Sequence, residues 1–359
     1  MLAGTPVQDE GVISRYRQFL PVSDSTPVVS LNEGSTPLIE AHGLVEAIGG
    51  QFRIFVKFEG LNPTASFKDR GMTLAVSKAA ERGASAIVCA STGNTSASAA
   101  AYASRAGMTC VVLIPEGKIA FGKMAQALIH GAITIEVRGN FDDALELVRE
   151  LGEMKEFEVV NSINPFRIQG QKTAAFEVCD SLGDAPDFHF LPVGNAGNIT
   201  SYWMGYNEYL EASRSQSLPK MMGWQAEGAA PIVRGEVIQS PETVATAIRI
   251  GNPASWEKAV RAAEDSKGAI DCVTDEEILD AHRMLARTEG IFVEPASAAG
   301  IAGIVKSHAI GAIPDESTVV VTVTGHGLKD PGLAIDNARA KSTVIDADID
   351  SVMTAIGMG

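Results

Sequence analysis

Thr318-Val319-Val320-Val321-Thr322-Val323 constrains the fold more than any other stretch of the chain. Six β-forming residues in a row leave no polar face beyond two threonine hydroxyls. Such a strand must be central in its sheet and covered on both sides, as parallel strands are. Two series of alternating strand and helix patterns surround it. In the first, strands are expected over 86–90, 109–114, 133–137 and 157–160, with helices over 95–105, 118–129 and 141–154. Gly107 and Gly131 mark helix ends. In the second, helices are expected over 169–181, 197–210, 254–263, 275–288 and 296–308, with strands over 188–193 and 221–226 ahead of the central one. No Pro/Gly/Ser-rich linker or internal repeat separates the series. The reading is an α/β chain with two closely packed units and mostly parallel sheets: a large unit from 1–81 and 161–359, with a smaller one, 82–160, inserted in it. The cleft between them is the expected ligand site.

Composition narrows the function. Only 6% of residues are aromatic, while glycine and alanine are abundant, which suits helices packed closely on a sheet. The net charge is −15, from 29 basic and 44 acidic residues, with no run of Lys/Arg. Nucleic acid and anionic membranes are poor partners for such a surface. A small anionic substrate fits, because a local basic cluster can hold it. Cys89, Cys110, Cys179 and Cys272 form no C-x-x-C pair, and no metal-ligand spacing of histidines appears. Without a secretory leader pattern or an 18-residue apolar span, the chain reads as cytoplasmic.

Chemistry concentrates in one segment and four loops. In Ser66-Phe67-Lys68-Asp69-Arg70, Ser66 and Asp69 fit the Ser/Thr-x-x-Asp/Glu capping box, so a helix should begin near Phe67. Lys68 then lies in the first turn, where the helix dipole disfavours a cation by ~0.3–1 kcal/mol. That lowers the amine's pKa, as a Schiff-base lysine requires. A solvated surface lysine with Asp69 as counterion is the alternative. Three loops follow predicted parallel strands, where open α/β sheets bind ligands. Ser91-Thr92-Gly93-Asn94-Thr95-Ser96 suits an anion at a helix start, and equally a well-capped turn. Gly194-Asn195-Ala196-Gly197-Asn198 permits close backbone approach to a phosphate. Thr324-Gly325-His326-Gly327-Leu328-Lys329-Asp330 presents a neutral hydroxyl at the end of the central strand, and His326 reads as a loop residue without a catalytic part. The fourth segment, Asn161-Ser162-Ile163-Asn164-Pro165-Phe166-Arg167, should border the cleft. Its Arg167 suits a phosphate or carboxylate, or a structural ion pair.

The lysine segment and the three strand-end loops together resemble the threonine synthases, in the fold-type II group of enzymes that use pyridoxal 5′-phosphate (PLP). The resemblance spans roughly residues 32–330. It implies two three-layer αβα domains, the smaller one mobile, with PLP in the cleft. It implies that Lys68 carries PLP as a Schiff base and then moves protons. Asn94 would bond the cofactor's 3′-oxygen, Thr324 would face the pyridine nitrogen, and the backbone of Gly194, Asn195, Ala196, Gly197 and Asn198 would cradle the cofactor phosphate. Ser91, Thr92 and Thr95 would hold the substrate carboxylate or phosphate, and Asn161, Ser162 and Arg167 the substrate phosphate. The implied lyase reaction converts O-phospho-L-homoserine and water to L-threonine and phosphate. A homodimer is common in this group. No appended sensing domain is evident, which argues against the effector-regulated branches. A threonine or serine dehydratase is the competing reading within the same chemistry. An NAD-dependent dehydrogenase would need the G-x-G-x-x-G turn that the chain lacks, and a non-catalytic α/β binding protein is the third alternative.

Overall fold

A computed structural model of the protein describes residues 10–117, 121–139, 141–338 and 342–358. Two sheets organise it. The larger contains β1 (Leu38–Glu40), β2 (Arg53–Phe58), β7 (Phe188–Pro192), β8 (Lys220–Ala226), β9 (Ala269–Val273) and β10 (Thr318–Val323), in the order β1-β2-β10-β7-β8-β9. The smaller contains β3 (Ala86–Ala90), β4 (Thr109–Pro115), β5 (Ile133–Val137) and β6 (Phe157–Val159), in the order β5-β4-β3-β6. Every pairing is parallel except β1 with β2. No helix among the described residues is long and apolar enough to cross a membrane.

β10 pairs with β2 along its whole length and with β7 on its other side. Val319, Val320, Val321 and Val323 are buried, as the run of apolar residues requires. The hydroxyl of Thr322 is satisfied inside the core: it donates to Tyr202 Oη (2.9 Å) and lies 2.8 Å from His189 Nε2. The His189 ring also bonds Tyr206 Oη (2.7 Å), and burial pushes its pKa down to about 3, so it stays neutral.

The structure departs from expectation in places. β1, β2 and β9 are additional strands. The helix expected over 169–181 is two, Pro165–Gln171 and Thr173–Leu182, the first capped by Asn164, whose side chain accepts from the Phe166 N–H. The segment expected as a helix over 296–308 starts as a 3-10 turn, Pro295–Ala298, before the helix Ala299–Ala309. The helix expected from 118 is described over Phe121–Ile129, residues 118–120 lying outside the described residues. The helix Lys68–Glu81, assigned above to the larger unit, sends Met72, Ala75, Val76 and Ala79 into the core of the smaller sheet, beside Ile87, Cys89 and Val112.

The opposite side of that helix is anchored by charge. The buried Arg70 guanidinium bonds Glu59 (2.6 Å from Nε) and Glu177 (2.6 Å from Nη2), and Lys57 Nζ donates to Glu177 at 2.7 Å. Two cations and two carboxylates balance, so no net charge is left without a partner. Glycines set the crossing with Pro165–Gln171. A Cβ on Gly71 would lie 2.7 Å from the Arg167 carbonyl oxygen, and one on Gly170 2.0 Å from that of Arg70. Only hydrogen fits at these two positions, and the close crossing sets Arg167 beside the first turn that carries Lys68.

Candidate active site

The loops after β3, β7 and β10 converge on that first turn. The lysine segment is stitched to the β10 loop: Phe67 N–H donates to the Thr324 carbonyl (2.9 Å), and His326 N–H donates to that of Ala65 (3.0 Å). The helix begins at Lys68 with Phe67 as its cap residue. The predicted capping box is not formed. Ala65 adopts a left-handed conformation (φ 65°), and the Asp69 carboxylate accepts from the Thr64 N–H (2.6 Å), the Thr64 hydroxyl (2.6 Å) and the Ser98 hydroxyl (2.6 Å). The buried Ser66 hydroxyl has no hydrogen-bond partner among the described residues. Burial lifts Asp69 to about 6 against these bonds.

Lys68 is partly buried by area, and its amine is surrounded by protein. Desolvation pushes its amine down to about 7. The nearby Arg167 cation acts in the same direction, and Glu294 opposes them. Burial and a like charge therefore drive the shift. Lys68 is not a freely solvated surface lysine, and Asp69 is engaged elsewhere. Its Nζ sits 4.3 Å from the centre of the Phe67 ring. An amine poised near neutrality suits both attack on a carbonyl and proton transfer.

Arg167 is buried, and no carboxylate among the described residues pairs with it. Nη1 donates to the Val160 carbonyl (3.1 Å), Nε has no partner among the described residues, and burial lowers its pKa to about 10. A buried guanidinium without a counterion is strongly disfavoured unless an anion arrives. Asn161 is committed to the backbone. Its amide accepts from the Ala90 N–H and donates to the Ala90 carbonyl, both at 3.0 Å. It fixes the end of β3, and hence the Ser91 loop. Ser162 is half-buried.

In the Ser91 loop, the Ser91 hydroxyl accepts from the Gly93 N–H (3.2 Å), while Thr92 and Thr95 are half-buried with hydroxyls unbonded among the described residues. Asn94 reaches across to Glu294, its Nδ2 lying 3.1 and 3.0 Å from the two carboxylate oxygens. In the loop after β7, Ala196 takes a left-handed conformation (φ 63°) to start the helix Gly197–Glu211. A Cβ on Gly194 would come within 3.0 Å of Ile248 Cα. The first amides of that helix have no carbonyl to bond within it, and the buried Asn198 Nδ2 is likewise without a partner among the described residues. Strained backbone, free amides and an orphaned donor at a helix start fit a phosphate. Thr324 sits at the end of β10, its Oγ1 3.2 Å from Glu294. His326 is a loop residue: its Nδ1 accepts from the Leu328 N–H, and its ring stacks on Phe58. Buried amine, phosphate cradle and neutral hydroxyl together suit PLP.

Two residues escaped the sequence reading, and a third, Lys329, appeared in its loop without a role. Glu294 is buried and its pKa is raised by burial. The Ser297 hydroxyl lies 2.9 Å from Thr324 Oγ1. Lys329 bonds Gln126 of the helix Phe121–Ile129, joining the β10 loop to the smaller sheet's helices. The signal for Glu294 was one carboxylate alone in the apolar run Ile291-Phe292-Val293-Glu294-Pro295-Ala296.

A model of the pyridoxal-phosphate dependent enzyme family matches residues 29–325. The chain is 56% identical to the threonine synthase of Synechocystis sp. over 97% of this chain and 91% of that one. It is 59% identical to that of Mycobacterium tuberculosis over 93% and 92%, and 52% identical to that of Methanocaldococcus jannaschii over 94% and 84%. Among solved structures, maize serine racemase superposes with a TM-score of 0.73 at 20% identity, covering 91% of this chain and 96% of that one. The processed form of threonine deaminase isoform 2 from Solanum lycopersicum superposes with a TM-score of 0.74 at 21% identity, covering 90% and 88%. These two likenesses speak to the fold alone.

Proposed function

The chain belongs to the pyridoxal-phosphate dependent enzymes and is a threonine synthase, and from that premise we propose that its substrate is O-phospho-L-homoserine, held by Arg167 beside the Lys68 amine. The observation that carries this reading is the buried, unpaired guanidinium of Arg167 next to a lysine poised near neutrality. A dehydratase substrate has no phosphate to meet that cation.

PLP, when bound, supplies a carbonyl for the lysine and a ring that accepts the electrons left at the substrate's α-carbon. The chain's residues do the rest. The amides of residues 194–198 and Asn198 Nδ2 hold the cofactor phosphate. One hydrogen of Asn94 Nδ2 serves the 3′-oxygen while the other stays on Glu294. Ser91, Thr92 and Thr95 take the substrate carboxylate, and Arg167 with Ser162 takes its phosphate. Asn161 acts indirectly, by fixing Ala90. The neutral Lys68 amine removes the α-proton. Once it has released that proton, the same amine removes a β-proton, and the γ-phosphate leaves against Arg167. Lys68 then delivers a proton to the γ-carbon, which becomes the methyl group; water adds at the β-carbon, its second proton leaving with the phosphate, and Lys68 returns a proton to the α-carbon. A group near pKa 7 serves each transfer in both directions.

Residues 1–81 with 161–359, and 82–160, are read as the two domains around this site. The free cysteines suit a reducing, cytoplasmic setting, and a homodimer is the assembly proposed. Phosphate release from O-phospho-L-homoserine, measured beside keto-acid release from threonine, tests the assignment. Faster turnover of threonine to the keto acid contradicts it.

A further inference from the structure

Ser297 lies on the Pro295–Ala298 turn, fully buried against the end of β10. Its hydroxyl accepts from two backbone amides, those of Thr324 (2.9 Å) and Gly325 (3.1 Å). A serine hydroxyl has two acceptor lone pairs and one hydrogen. Both lone pairs are therefore taken. The remaining hydrogen has Thr324 Oγ1 at 2.9 Å, with the Gly325 carbonyl a poorer choice at 3.4 Å. Thr324 Oγ1 must then be the acceptor in this pair, and its own hydrogen must point away from Ser297. That hydrogen is donated to the Glu294 carboxylate, 3.2 Å away.

We propose that Ser297 is a positioning residue that fixes the Thr324 hydroxyl as a hydrogen donor, its hydrogen passing from Glu294 to the cofactor's pyridine nitrogen when PLP is bound. The inference rests on the reading above that Thr324 faces that nitrogen. Its chemical consequence is definite. A donor facing the nitrogen bonds its lone pair and leaves no room for a ring proton, so the ring draws electrons less strongly than a protonated one. An acceptor in the same place would invite protonation. The choice between the two is made not by Thr324, whose hydroxyl can do either, but by the serine behind it, which has only its hydrogen left to offer.

The test is a double-mutant cycle on cofactor binding, read by titrating the apoenzyme with PLP and following the absorbance of the bound form. Thr324→Val should weaken PLP binding about tenfold. Ser297→Ala should weaken it by a similar factor in the wild-type background and by almost nothing in the Thr324→Val background. Equal weakening in both backgrounds overturns the inference, because it shows a general packing role. Full PLP affinity in Thr324→Val overturns the placement of Thr324 itself, and the inference with it. Ser297→Ala also leaves two buried amides unpaired. If that variant does not fold, Ser297→Cys, a weaker donor, replaces it: a smaller loss that vanishes in Thr324→Val supports the proposal, and a loss unchanged by Thr324→Val contradicts it.

Discussion

The side-chain amide of Asn94 donates to both carboxylate oxygens of Glu294, 3.1 and 3.0 Å away, joining the loop after β3 to the far wall of the site. The same carboxylate accepts from Thr324 and is the charge that holds the Lys68 amine up against burial and Arg167. A lone buried anion thus connects two groups assigned to opposite sides of the cofactor with the lysine assigned to bond it. In Glu294→Gln the opposing charge is gone. The Lys68 pKa should fall below about 7, read from the pH dependence of its modification by an amine-directed reagent in the cofactor-free enzyme. An upward shift contradicts this arrangement.

Arg167→Ala removes the buried cation. Two charge-assisted hydrogen bonds at ~1.5–3 kcal/mol each predict a rise in KM for O-phospho-L-homoserine of roughly 10²-fold or more. PLP affinity should change little. The Lys68 amine should titrate at higher pH, since Arg167 is the first charge depressing it. Unchanged turnover at low substrate would remove Arg167 from the phosphate site.

Lys68 also ties stability to pH. Its pKa in the folded protein is about 7, against 10.5 when unfolded. Between these values the unfolded chain binds more protons, so its contribution to stability rises with pH across that window. Below pH 7 the full penalty of burying the cation applies. Lys68→Met should therefore raise the melting temperature of the cofactor-free enzyme most at pH 7 and below, with the advantage shrinking toward pH 10.5. A gain that grows with pH has the wrong sign for this account.

Gly71→Ala and Gly93→Ala separate packing from function. The first places a methyl 2.7 Å from the Arg167 carbonyl oxygen; the second meets nothing within 4 Å. Overpacking predicts a stability loss of roughly 1–3 kcal/mol for Gly71→Ala and little for Gly93→Ala, measured by urea unfolding. Equal losses would show that the helix crossing at Gly71 has slack.

Much of this was legible in the sequence, for reasons that particular residues show. β10, apolar but for two threonine hydroxyls, could only be a central strand, and the loops after β3, β7 and β10 carried small and hydroxylated residues where parallel sheets bind ligands. β2 was hidden because Lys57 interrupts its apolar run. That charge is acceptable only because Glu177, 120 residues later in the chain, meets it at 2.7 Å. The capping box failed for a related reason: Asp69 found Thr64 and Ser98, the latter on a helix that local spacing does not bring near. Lys68 was correctly placed in a first turn, but desolvation and Arg167 lower its pKa, and both come from tertiary packing. Glu294 and Ser297 are single residues whose roles exist only through what they touch.

Borohydride reduction of the PLP-loaded enzyme, followed by peptide mass spectrometry, tests the central claim most directly. The account predicts a pyridoxyl group on Lys68 alone. A label on Lys329 or any other lysine, with Lys68 unmodified, would contradict it.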